Sequence, residues 1–88
     1  MVYPVFVIRD RKADFWQPRV EMNVDSAKRW FGMLVNNSDP GNVVAFSPYD
    51  FELYRIGDYD GETGDLFPLD KKEFIISGDC LVGVGYEK

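Results

Sequence analysis

The chain contains no histidine and only one cysteine among its 88 residues. Without histidine it lacks the commonest general base and the commonest metal ligand near neutral pH. With Cys80 alone it has no internal disulfide framework, which fits a reducing, intracellular setting. There is no glycine-rich phosphate loop ending in Lys-Ser/Thr, no zinc-ligand spacing and no nucleophile elbow. No apolar run approaches the roughly 20 residues that span a bilayer. No basic and apolar leader opens the sequence, which argues against secretion. These absences point away from an enzyme, a cofactor or metal, a small-molecule substrate and a membrane. They favour a protein that works by binding.

What is present suffices for one small core. Hydrophobic residues make up 45% and aromatic residues 16% of the sequence, and each buried ring removes about 150–250 Å² from water. The expectation is a single α+β domain over residues 1–88. Cys80, next to Asp79 and an apolar run, reads as a small buried hydrophobe, since a neighbouring acid disfavours the thiolate. The net charge of −5 is unevenly spread. Residues 1–44 carry six basic groups against five acids, and residues 45–88 carry four against ten. An acidic chain repels nucleic acid as a whole, so any contact with DNA needs a local patch, and only the N-terminal half can supply one.

Residues 2–8 (VYPVFVI) form a β-branched and aromatic run with little alternation, the pattern of a central strand buried on both faces. After a polar turn at 9–14, residues 15–24 resume strand character, with Phe15, Val20, Met22 and Val24 as candidate inward residues. Pro18 marks an edge or a bulge. Asp25 or Ser26 is placed to cap a helix whose Ala27, Trp30, Phe31, Leu34 and Val35 recur at helical spacing. Lys28, Arg29, Gly32 and Asn36 fall on its other face, and the loop from Asn36 to Gly41 ends it. Residues 43–46 suit a brief strand or a core-facing loop. Ser47-Pro48-Tyr49-Asp50 reads as one helical turn, with serine as cap and proline first. Residues 51–59 read as a strand with Phe51, Leu53 and Arg55 on one side and a bulge near Gly57. A turn at 60–64 leads to a second hairpin strand at 65–69, and residues 71–84 suit a short helix or turn followed by a last strand. The predicted architecture is a small antiparallel sheet of four or five strands with one short amphipathic helix packed on it, in the order β-β-α-β-β. One face of such a sheet stays uncovered, with Tyr3, Tyr54 and Phe67 as candidates to lie on it.

Two clusters invite a functional reading. Arg9, Arg11, Lys12, Phe15, Trp16 and Arg19 interleave cations with rings, as single-stranded nucleic acid requires for phosphate pairing and base stacking. Lys28 and Arg29 on the outer helix face would extend the patch. Against this stand Asp10 and Asp14 inside the cluster, and the plainer reading of Phe15 as core, Trp16 as an edge cover and the charges as solvation. The second cluster is the acidic loop of Asp58, Asp60, Glu62 and Asp65. It has Thr63 and Leu69 where a calcium loop starting at Asp58 needs glycine and glutamate, so it reads as a solvated hairpin turn or a protein-docking surface.

The order of several short segments carries a resemblance. They are Ile8-Arg9-Asp10-Arg11-Lys12-Ala13 with Phe15 and Pro18, Ala27-Lys28-Arg29-Trp30-Phe31, and Pro48-Tyr49-Asp50-Phe51-Glu52-Leu53-Tyr54-Arg55-Ile56-Gly57 with Asp58-Tyr59-Asp60-Gly61-Glu62-Thr63-Gly64. Together they resemble the small nonstructural protein of gokushoviruses, the single-stranded DNA phages of the microvirus group. The resemblance implies a protein of the bacterial host cytoplasm, absent from the virion, acting in viral DNA synthesis or in the passage to genome packaging. It supplies no catalytic residues. The expected partner is single-stranded DNA or a viral replication protein, with a homodimer expected from the open sheet face. The competing expectation is an acidic adapter or inhibitor of a host factor that works through residues 58–65 without touching nucleic acid.

Overall fold

The computed structural model describes residues 1–84. Four strands form one antiparallel sheet: β1 (Val2–Asp10), β2 (Arg19–Val20), β3 (Phe51–Asp60) and β4 (Leu66–Ser77), in the spatial order β2-β1-β3-β4. Helix α1 (Val24–Val35) and the one-turn helix α2 (Val43–Phe46) come between β2 and β3. Two 3₁₀ turns, Pro48–Asp50 and Gly78–Leu81, flank the β3–β4 hairpin. This is the small α+β fold expected, with four strands among the described residues.

β1 is central, and the unbroken apolar run explains why. Val5, Phe6, Val7 and Ile8 are all buried, two on each face of the sheet. Phe6 and Ile8 join Phe51 and Leu53 of β3 under the helix, where Ala27, Phe31, Val35, Val44 and Leu81 complete the core. Val5 and Val7 point the other way. The helical stripe forms as the periodicity predicts: Ala27, Phe31 and Val35 are buried, and Trp30 and Leu34 pack half-buried at its margins. Gly32, expected on the solvent face, is buried instead.

The cap of α1 is Asn23, two residues before Asp25 and three before Ser26, the two predicted positions. Asn23 Oδ1 accepts from the Ser26 amide at 2.8 Å, while Ser26 Oγ accepts from the Asn23 amide at 3.2 Å. This reciprocal pair satisfies two first-turn donors and draws Val24 into the helix. Asn23→Ala should therefore lower stability by about 1 kcal/mol, measured by urea denaturation, and Asp25→Ala should cost less because Asp25 makes no cap bond. At the other end Asn36 Nδ2 donates to the carbonyls of Gly32 (2.8 Å) and Leu81 (2.9 Å), and its Oδ1 accepts from the Gly83 amide (2.8 Å). One side chain thus ties the end of α1 to the segment after β4.

Several expectations are corrected. The predicted second strand at 15–24 shrinks to Arg19–Val20, because Pro18 has no amide proton to donate; before it only Phe15, bridged to Arg9, and the Trp16 amide, donating to the Ile8 carbonyl at 2.8 Å, stay beside β1. Phe15, Val20 and Met22 are exposed rather than inward, and Val24 belongs to the helix. Residues 43–46 form a helical turn, with Asn42 Oδ1 accepting from the Val44 amide at 3.2 Å. The hairpin strand predicted to end at 69 runs to Ser77 as β4 and replaces the separate helix or turn and last strand expected over 71–84. Cys80 is exposed, since the 3₁₀ turn directs Leu81 inward in its place.

The bulge expected near Gly57 is present. Val5 pairs with Gly57 and Phe6 with Arg55, so Ile56 is the extra residue in β3. β4 departs further at the same level. While β3 advances from Arg55 to Gly57, β4 runs from Glu73 back to Pro68, leaving residues 69–72 outside the ladder.

Candidate nucleic-acid interface

The face of the sheet opposite the helix carries a row of three rings. Alternation puts Val5, Val7 and Arg9 on that face, and register places Tyr54 opposite Val7, Glu52 opposite Arg9 and Phe74 opposite Tyr54. Phe15 reaches the same face through a single bridge to Arg9. Its ring lies edge-on to Tyr54 with centroids 6.0 Å apart, and Tyr54 lies edge-on to Phe74 at 5.7 Å. Edge-to-face packing of this kind holds rings in place. Phe15 is 44% exposed and Phe74 53% exposed, so the row is open to solvent.

Two cations stand at one end of the row. The Arg9 guanidinium carbon lies 5.7 Å and the Lys72 ammonium 5.6 Å from the Phe15 ring centroid. Both distances are within the range of a cation–π contact. Glu52 tempers Arg9, with its carboxylate 3.7 Å away, and accepts from the Tyr54 hydroxyl at 3.1 Å. Lys72 makes no ion pair among the described residues.

The eight residues of the predicted basic-aromatic patch do not converge. Arg9 and Phe15 meet on the open face. Arg11 donates from Nη1 to the Tyr49 carbonyl at 3.5 Å, and Lys12 lies 3.6 Å from the Asp50 carboxylate, both at the first 3₁₀ turn. Trp16 is edge-on to the core ring of Phe51, with centroids 5.5 Å apart. Arg19 pairs with Glu21 and stacks 4.5 Å above Trp30, on the helix side. Lys28 and Arg29 also belong to α1, so the sheet separates them from the ring row. Lys72, Tyr54 and Phe74 complete the row instead. Lys72 and Phe74 lie in the segment read as a short helix or turn followed by a last strand, and only strand register brings them to Phe15.

The acidic residues form a hairpin end. Asp60 Oδ1 accepts from the Glu62 amide at 2.8 Å, and the Asp65 amide donates to Thr63 Oγ1 at 3.2 Å. Asp58 is drawn off by Arg55, whose Nη2 donates to its Oδ1 at 2.7 Å. That hydrogen bond, helped by Glu73 at 3.4 Å, raises the Arg55 pKa above its ordinary value. No metal-binding cluster occurs among the described residues.

Comparison with known proteins agrees with the resemblance read from the sequence. The family described as "Phage ORF5 protein" matches residues 3–81. Protein ORF5 of Chlamydia phage 1 is 32% identical over 68 residues, covering 74% of this chain and 71% of that protein. No solved structure matches.

Proposed function

Because the chain belongs to the Phage ORF5 protein family, we propose that it is a nonstructural accessory factor in viral DNA synthesis or packaging that binds single-stranded DNA without chemistry of its own. The observation that carries this reading is the exposed Phe15 ring, with Arg9 and Lys72 both close to it, at the head of an open row of rings. Unpaired bases stack on exposed aromatic faces, and cations beside those faces hold the phosphates. Duplex DNA offers no such free base faces, so the row favours single strands. The helix-side cations Arg19, Lys28 and Arg29 are not needed for this contact.

Anisotropy of a fluorescent oligothymidylate tests the proposal. The protein should bind at about 50 mM salt and weaken as salt rises, because phosphate pairing releases counterions. Phe15→Ala should lower affinity by about 1–3 kcal/mol, the usual worth of one stacked base. Lys72→Ala should weaken binding and flatten the salt dependence, whereas Arg29→Ala should do neither. Absence of binding by the unmodified protein at about 50 mM salt would refute the proposal.

A further inference from the structure

We propose that the open face of the sheet is an interface between two copies of this chain, stacked face to face with their strands antiparallel. The interface rests on the sheet itself, independently of the single-strand reading above, with which it shares a surface.

Strand register divides that face into levels. Tyr3, Tyr59 and Leu66 stand side by side nearest the turn between β3 and β4, followed by Val20, Val5, Gly57 and Pro68. Val7, Tyr54 and Phe74 form the next level, and Arg9, Glu52 and Phe15 the last. Phe67, expected on this face, points to the other one with Asp58 and Pro4. Charged groups enter the ladder only at the last level. Leu66 is 65% and Val20 45% exposed, so an apolar surface out of reach of the helix is left to water.

The two halves of the face complement each other under a two-fold rotation. Phe6 is the midpoint of β1, and an axis crossing the strands at its height lays each level on a different level of the second copy. Val7, Tyr54 and Phe74 then meet the partner's Val5, Gly57 and Pro68, so rings face the smallest side chains. Gly57 has no side chain, and a Cβ there would come within 2.7 Å of the Phe67 carbonyl oxygen, so the backbone itself fixes a depression at this level. It is a groove of about 210 Å³ with Val5, Pro18, Ile56, Leu66 and Pro68 in its lining. The Tyr54 and Phe74 rings of one copy fill the groove of the other, and the two-fold axis makes the contact twice.

Charge follows the same symmetry. Arg9 and Lys72 stand beside Phe15 at one end of the face, and the turn at the opposite end carries Asp60, Glu62 and Asp65. Antiparallel stacking sets each acidic turn against the partner's two cations. Parallel stacking would set acid against acid in a chain whose net charge is already −5. Strands about 30 Å long in a sheet about 20 Å wide offer roughly 600 Å² per copy, the lower limit for a specific interface. The dimer is therefore a weak one, in exchange with monomer.

Sedimentation velocity of the full chain without DNA, from micromolar to millimolar concentration, tests the interface. The mean mass should rise with concentration from 10.2 kDa toward twice that value. Leu66→Lys and Val20→Lys should each weaken the dimer about tenfold by burying a charge. Both positions are exposed in the monomer, so the fold tolerates the change, which circular dichroism checks. Phe46→Lys alters an 88% exposed ring on α2, on the helix side, and should change nothing. Lys72→Glu and Glu62→Lys should each weaken the dimer severalfold, and the double variant should recover it, as antiparallel stacking requires. A chain that stays monomeric at millimolar concentration overturns the inference. So does a dimer that is lost with Phe46→Lys and kept with Leu66→Lys, and so does a double variant no stronger than the single ones. None of these measurements involves DNA, so a failure of the single-strand reading leaves them standing. Oligothymidylate, where it binds, should convert dimer to monomer, and a strand bound to an intact dimer would show that the copies meet elsewhere.

Discussion

Phe31→Ala will destabilise the fold by about 3–5 kcal/mol. Phe31 is fully buried and sits where α1 meets the sheet, within the cluster that holds Phe6, Ile8 and Leu53. Removing its ring deletes the contact area and leaves a cavity that a short helix and a rigid four-stranded sheet cannot close. A domain this small buries only about 60% of its unfolded surface and has little stability in reserve. The variant should therefore be largely unfolded at 37 °C, as loss of cooperative melting in far-ultraviolet circular dichroism will register. Phe31→Leu keeps most of the volume and should cost less than half as much. Equal damage from the two substitutions would show that ring shape, not cavity volume, controls the site.

Gly78→Ala will have an effect of similar size for the opposite reason. A Cβ at Gly78 would lie 2.3 Å from the Pro48 carbonyl oxygen and 3.3 Å from that of Phe51. Both are backbone atoms, and no rotamer change relieves the contact. Separating the 3₁₀ turn after β4 from the one before β3 would also pull Leu81 from the core and strain the Asn36 ties to Leu81 and Gly83. The expected loss is about 3 kcal/mol, at the upper end for overpacking, or roughly 12–24 °C in melting temperature for a domain of this size. An alanine variant that melts within a few degrees of the unmodified protein would show that the two turns separate at little cost.

How much of this was legible in the residues differs by element. The helix could be read because its stripe depends only on a local period, and Ala27, Phe31 and Val35 obey it. The central position of β1 could be read because a run buried on both faces cannot afford the polar residues of an edge strand. The helix cap was misplaced because Asn23, Asp25 and Ser26 are all competent caps, and the choice depends on where the chain leaves β2. The basic-aromatic patch was only partly legible. Arg9 and Phe15 are brought together by a tight turn, but Arg19 and Phe15 fall on opposite faces because the register against β1 shifts between them, across Pro18. Lys72 and Phe74 could not be assigned at all, since their position depends on the detour at residues 69–72, which no local pattern in β4 announces.

The central strand also sets conditions on how the protein is made. β1 pairs along its length with β3, which begins some forty residues later at Phe51. A ribosome adding about 5–20 residues per second delivers that partner roughly 2–8 s after β1 has been synthesised. During this interval the most apolar segment of the chain has no sheet to join, and β2 offers it only two paired residues. The core then waits for Leu81, still further along. The core therefore cannot close until Leu81 has been synthesised, and until then the apolar β1 segment is exposed to association with other chains.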